Sequence, residues 1–177
     1  MFWNLLLAAL LSLAPGRLAA PDGGQPRVEE DVRVVAVHDG DTITVTTAGR
    51  SERVRLLGID TPELDDERDA YRDEAVAARE FVRFRLLNKP VSLERDGRQG
   101  NRDDYERLLR YVILPDGTNF NEELVRKGYA RVYDRFEFTL KPRFKESESE
   151  AKSAHIGVWS LPPGKARQTP SSPRTSP

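Results

Sequence analysis

The sequence predicts a small α+β domain: a partly open barrel of five strands, with helices inserted between and after them. Three observations carry this. Short β-branched or alternating runs are separated by tight-turn pairs. A three- and four-residue apolar repeat runs through residues 70–87, and a second helical stretch opens at Pro142 and stops at Gly157. The 177 residues supply one domain plus extensions, since domains usually run to roughly 100–150 residues.

Residues 32–37 form a β-branched run that reads as a buried first strand. Asp39-Gly40 is a turn pair, and residues 42–46 alternate polar and apolar as the second strand. Ala48-Gly49-Arg50 turns the chain again. Residues 53–57 make the third strand, halted by Gly58 and Pro62. Turns this short imply an antiparallel meander. Tyr71, Ala75, Ala78, Val82 and Leu86 then line one face of an amphipathic helix ended by Asn88-Lys89-Pro90. Residues 91–93 and 108–114 are the fourth and fifth strands, the latter closed by Pro115-Asp116-Gly117. A short helix over 121–127 is capped by Gly128, followed by a brief strand over 129–133 and a last helix over 142–155.

The ends differ from this middle. Residues 1–20 carry an apolar run followed by small residues. They read as a secretory signal, or as an uncleaved anchor that would attach the chain to a membrane. Residues 21–30 read as a linker, 31–160 as the folded domain, and 161–177 as a disordered tail rich in Pro, Ser and Thr. The expected location is therefore secreted or periplasmic. With no cysteine, disulfides, thiol nucleophiles and thiolate metal sites are excluded; two histidines argue against a multi-histidine zinc site. A formal charge of −1 argues against tight binding through a basic surface, but not against a hydrolase that must release its product.

Four groups of residues carry potential chemistry. Asp39-Gly40-Asp41-Thr42 is on one reading a self-satisfied turn, and on another a place where Asp41 offers oxygen to a hard cation. In Gly58-Ile59-Asp60-Thr61-Pro62-Glu63, Pro62 keeps Thr61 extended, so Asp60 and the Thr61 carbonyl can face one ion. Glu63 follows at the distance of a turn, suited to activating water, although the same residues would also serve as a strand cap. Arg55 lies on the strand face opposite Val54 and Leu56, pointing outward or into a cleft. Arg107 opens the fifth strand after Tyr105, which either packs on a nucleotide or is a half-buried structural tyrosine. A guanidinium fork can hold two phosphate oxygens; solvated strand arginines are the plainer alternative. Lys141, Arg143 and Lys145 are candidates for a basic edge, and the Glu146–Glu150 run reads as a solvated helix face.

Taken in order, Asp-Gly-Asp-Thr, then Arg-Leu-Leu-Gly-Ile-Asp-Thr-Pro-Glu, then Asp-Asp-Tyr-Glu-Arg resemble the thermonuclease, or staphylococcal-nuclease-like, family. The similarity spans about residues 32–159 and includes Asn121-Glu122-Glu123-Leu124-Val125-Arg126-Lys127-Gly128 and Gly157-Val158-Trp159. It implies an OB-like five-stranded antiparallel β-barrel with three helices and an endonuclease that uses one Ca²⁺ to hydrolyse DNA and/or RNA as a monomer. By motif match, Asp41 and Asp60 are metal ligands together with the Thr61 carbonyl, Glu63 is the base, and Arg55 and Arg107 clamp phosphate. In the family, hydroxide attacks phosphorus in line with a 5′-oxygen leaving group and leaves a 3′-phosphate end. The chain departs from the pattern at Glu106, where the family commonly has Gly, at Asp104, and at Asp134-Arg135-Phe136. A more acidic rim, with weaker or differently selective binding, is expected. Two other classes remain open: a non-catalytic nucleic-acid-binding or protein-interaction module, and a surface-anchored structural protein.

Overall fold

The computed structural model describes residues 28–161. The signal segment, most of the linker and all of the tail beyond Leu161 therefore lie outside the described residues. Five strands close a barrel in the order β1-β2-β3-β6-β5, formed by β1 (Val28–Val37), β2 (Thr42–Thr47), β3 (Arg50–Leu56), β5 (Pro90–Glu94) and β6 (Leu108–Ile113). β1 begins inside the stretch read as linker and is long enough to pair with β2 at one end and β5 at the other, with a register shift in each ladder. Such shifts bend a strand and let a small sheet curl closed.

The expected five strands and three helices are all present, and three details differ. The barrel is closed rather than partly open. Its closing seam, β3 on β6, is parallel, while the other four pairings are antiparallel. A parallel pair needs a long crossover, and here α1 (Asp69–Leu86) and β5 supply it. The first strand is also half-buried rather than buried: Val32 and Val34 point inward, while Arg33 and Val35 are exposed. Strand alternation outweighs the β-branched composition.

Inward residues of every strand meet in one core, among them Ile43, Val45, Val54, Leu56, Leu93 and Val112. The predicted apolar stripe of α1 is the buried one, Tyr71, Ala75, Ala78, Val82 and Leu86. α2 (Phe120–Arg126) is capped by the Asn119 side chain, which accepts from the Glu122 N–H. Its Asn121 is fully buried and ties three elements together. The side-chain oxygen accepts from Val112 N–H, and the amide donates to the Leu57 and Arg110 carbonyls.

After β3, Gly58 adopts φ +79°, and a Cβ there would sit 2.7 Å from the Phe138 ring. That turn sends the chain into β4 (Ile59–Asp60), which pairs with β7 (Arg131–Val132), the short strand expected over 129–133. α3 (Lys141–Ser153) has Pro142 in its first turn, as expected. Its Glu146–Glu150 run is not simply solvated: Glu148 is buried, accepts from Val132 N–H at 2.9 Å and pairs with Lys145 and Lys152. A short strand with an unmatched N–H draws a carboxylate inward.

Candidate active site

The β1–β2 turn, the end of β3 with β4, and the loop before β6 converge on one cavity of about 590 Å³. Asp41, Arg55, Asp60, Thr61, Glu63, Tyr105 and Arg107 all line it.

Asp41 is buried at its base. Its backbone N–H donates to Asp39 Oδ1 at 2.9 Å, fixing the turn. Oδ1 accepts from the Thr42 hydroxyl at 3.1 Å; Oδ2 accepts from Thr61 N–H and Oγ1 at 3.2 and 3.3 Å. Gly40 permits this closeness, since a Cβ there would meet the Thr61 side chain at 2.7–2.9 Å. Burial pushes the Asp41 carboxyl up to about 7; the Arg55 guanidinium opposes the rise, and Asp39 and Asp60 add to it.

Arg55 bridges the two carboxylate segments. Nη2 lies 3.0 Å from Asp41 Oδ2 and 3.4 Å from Asp60 Oδ1, while Nη1 donates to the Leu56 and Ile59 carbonyls. Alternation placed it opposite Val54 and Leu56, and the cavity is what it faces. Asp60 is more open, with half of its side chain exposed. Glu63 lines the cavity from the turn beyond β4, where its carbonyl accepts from Asp66 N–H.

Arg107 enters from the loop before β6. Nε and Nη2 both reach Asp103 Oδ2 at 2.8 Å, and Nη1 donates to Thr42 Oγ1 at 3.3 Å. The carboxylate that engages Arg107 is therefore Asp103, not the neighbouring Asp104 or Glu106. Burial raises the Asp103 carboxyl, but the bonds from Arg107 and the Tyr105 N–H outweigh it and leave it below the usual range. Thr42 connects the halves: its hydroxyl contacts both Asp41 and Arg107. Glu106 has φ +61°, so the turn does require the left-handed conformation that glycine adopts freely. Tyr105 is 80% exposed on the rim, not half-buried.

Sequence reasoning gave no role to Asp103 or Tyr133; the self-satisfied turn read for Asp39 is present in its bond from the Asp41 N–H, whereas the Thr42 hydroxyl reaches the Asp41 carboxylate and Arg107. Asp103 had one local signal, its i,i+4 spacing to Arg107; Tyr133 had none, and Phe136, its ring 5.2 Å away on the cavity wall, was marked only as part of a departure from the family pattern. The proposed basic edge does not form. Lys141 binds the Asp134 and Phe136 carbonyls and Glu137, Arg143 pairs with Glu122, and Lys145 with Asp134 and Glu148.

Among the described residues, no group of three or more His, Cys, Asp or Glu side chains is arranged to hold a metal ion. Asp41, which is buried, and Asp60, which is half exposed, are joined through Arg55 and offer oxygen donors only. That donor chemistry fits a hard cation that keeps water in its shell, and not zinc.

Residues 53–161 match the family described as staphylococcal nuclease homologue. A thermonuclease of Staphylococcus intermedius is 32% identical over 165 residues, covering 88% of this chain and 94% of that protein. A thermonuclease of Staphylococcus hyicus is 32% identical over 133 residues, covering 75% and 77%. An uncharacterised endonuclease of Escherichia coli O157:H7 is 33% identical over 128 residues, covering 72% and 76%.

Proposed function

The chain belongs to the family of staphylococcal nuclease homologues, and we propose that it is an exported nuclease hydrolysing phosphodiester bonds of DNA and/or RNA with Ca²⁺. The observation that supports this most directly is the convergence of two carboxylate segments, a third carboxylate and two arginines on one cavity.

Asp41, Asp60 and the Thr61 carbonyl would hold the ion through oxygen alone, as a hard cation requires. When bound, the cation supplies positive charge against the phosphate and polarises water. Glu63 accepts the proton of the attacking water. Arg55 and Arg107 hold non-bridging phosphate oxygens and stabilise charge as it grows on them. Both arginines already have carboxylate partners in the chain, Arg55 with Asp41 and Asp60, Arg107 with Asp103. Phosphate therefore competes with fixed internal charge, which favours a selective site over a strongly binding one. Tyr105 offers an exposed ring on the rim for a nucleotide.

The test is the purified chain with denatured DNA and RNA, in Ca²⁺ or in chelator. Cleavage that needs the metal and is lost in Glu63→Gln supports the proposal. Binding without cleavage across pH and metals sinks it in favour of a nucleic-acid-binding module. N-terminal sequencing of protein recovered outside the cell tests export.

A further inference from the structure

Between β5 and β6 the chain makes an excursion, residues 95–107, that brings Asp103, Tyr105 and Arg107 to the cavity. At its base Leu109 N–H donates to the Asn101 carbonyl at 3.1 Å. The next residue of β6, Arg110, has its side chain almost wholly buried and spends its whole fork on this place. Nη1 donates to the Asn101 and Leu109 carbonyls at 3.2 and 2.9 Å, and Nη2 to Asn101 Oδ1 at 2.8 Å. Nε and Nη2 both reach Oε1 of Glu29 at 3.0 and 2.8 Å. Glu29 is the second residue of β1, 81 positions away in sequence. A separate anchor, Arg102, pairs with Glu52 at 2.9 Å and donates to the Glu106 carbonyl at 2.6 Å.

A buried guanidinium keeps its charge at any ordinary pH and depends on a fixed counter-charge. Glu29 is the carboxylate that meets it. Without Glu29, Arg110 is held by carbonyl and amide oxygens alone, and its grip on Asn101 loses the partner that orients the fork. We infer that Glu29, acting through Arg110 and Asn101, is a positioning residue for Arg107. The first residues of β1 thereby complete the support of the phosphate-binding loop. This rests on the reading of Arg107 as a phosphate ligand. A misplacement of about 1 Å in such a group can cost ~10²-fold in rate.

The experiment uses the full chain as wild type, Glu29→Gln, Arg110→Lys, Arg107→Ala, the Glu29→Gln/Arg107→Ala double variant, and Glu80→Gln on the outer face of α1 as control. Steady-state cleavage of denatured DNA in Ca²⁺ and amide hydrogen exchange of residues 99–107 are measured. Glu29→Gln and Arg110→Lys are expected to lower kcat by ~10-fold and to speed exchange in the loop by ~10-fold, with the barrel strands unchanged. In the Arg107→Ala background, Glu29→Gln should add nothing, because its effect passes through the missing group. Equal loss in both backgrounds, unchanged kcat in Glu29→Gln, or unchanged loop exchange overturns the inference. If the wild type cleaves nothing, the nuclease reading fails by itself. The exchange arm then decides: faster loop exchange in Glu29→Gln supports the positioning role, and unchanged exchange overturns it.

Discussion

Nη2 of Arg55 lies 3.0 Å from Oδ2 of Asp41 and reaches Asp60 at 3.4 Å, so one guanidinium serves both carboxylates proposed to bind the cation. On the proposed reading, the pair that would hold the cation already shares Arg55 as its counter-charge, so Arg55 would be freed for phosphate only where another positive charge stands beside Asp41 and Asp60.

Asp41→Asn should lower cleavage by ~10²–10³-fold, the scale for losing one well-placed charged group. In the wild type, Ca²⁺ at about 100 times its dissociation constant should add about 2.7 kcal/mol of stability, and this gain should vanish in Asp41→Asn. Thermal unfolding of both proteins, in Ca²⁺ and in chelator, measures it. An undiminished calcium shift in the variant would remove Asp41 from the metal site.

Glu63→Gln should reduce kcat by ~10²–10⁴-fold, as expected for removing a general base. Binding of a single-stranded oligonucleotide should be retained or tightened, since Gln keeps the size of the side chain and removes a negative charge that faces the phosphate. Single-turnover rates beside fluorescence-anisotropy titration separate the two effects. A parallel loss of binding would make Glu63 a substrate or metal contact instead.

Glu106 combines two costs, the left-handed backbone at φ +61° and a negative charge beside the cavity. Glu106→Gly removes both and should raise stability by about 0.5–1 kcal/mol, strain relief of about 1–2 kcal/mol being partly offset by the freedom of unfolded glycine. Glu106→Ala removes only the charge. It should tighten oligonucleotide binding at low salt as Glu106→Gly does, without the gain in stability. Urea melts and binding titrations at two salt concentrations distinguish them.

Glu148 gives acid sensitivity with a definite sign. Burial raises its carboxyl, but the Val132 N–H and the ammonium groups of Lys152 and Lys145 outweigh this and hold it below the usual range. A carboxyl depressed on folding contributes stability that is full above its unfolded value of about 4.3 and is lost as pH falls through the folded value. Glu148→Ala should cost about 2–3 kcal/mol at pH 7, and the gap to wild type should narrow below about pH 4.3. Urea denaturation across that range reads it; a gap independent of pH would assign the loss to packing.

The strands, α1 and the Arg55–Glu63 segment were legible because their information is local. Period-two alternation places Arg55 opposite Val54 and Leu56, and nine consecutive residues hold one arginine, one candidate metal ligand and the candidate base. At residue 106 the sequence marks only a departure, Glu where the family commonly has Gly; the φ of +61° there is visible in the structure alone. The Glu146–Glu150 run misled because composition reports average solvation, whereas one unmatched N–H at Val132 governs the place of Glu148.

By itself, then, the sequence determined the barrel's elements, the segments that supply the candidate site and the family they belong to. The elements and segments follow from spacing within a few residues, and the family from the resemblance of motifs spread along the domain. Only the tertiary structure decided that β3 and β6 close the barrel in parallel, that Asp103 engages Arg107, that Thr42 touches both Asp41 and Arg107, and that Glu29 meets Arg110. A buried charge or donor takes whichever complementary group the closed chain brings within about 3 Å. For Thr42 with Arg107 and Glu29 with Arg110, those groups are 65 and 81 residues apart, a distance across which no local pattern carries.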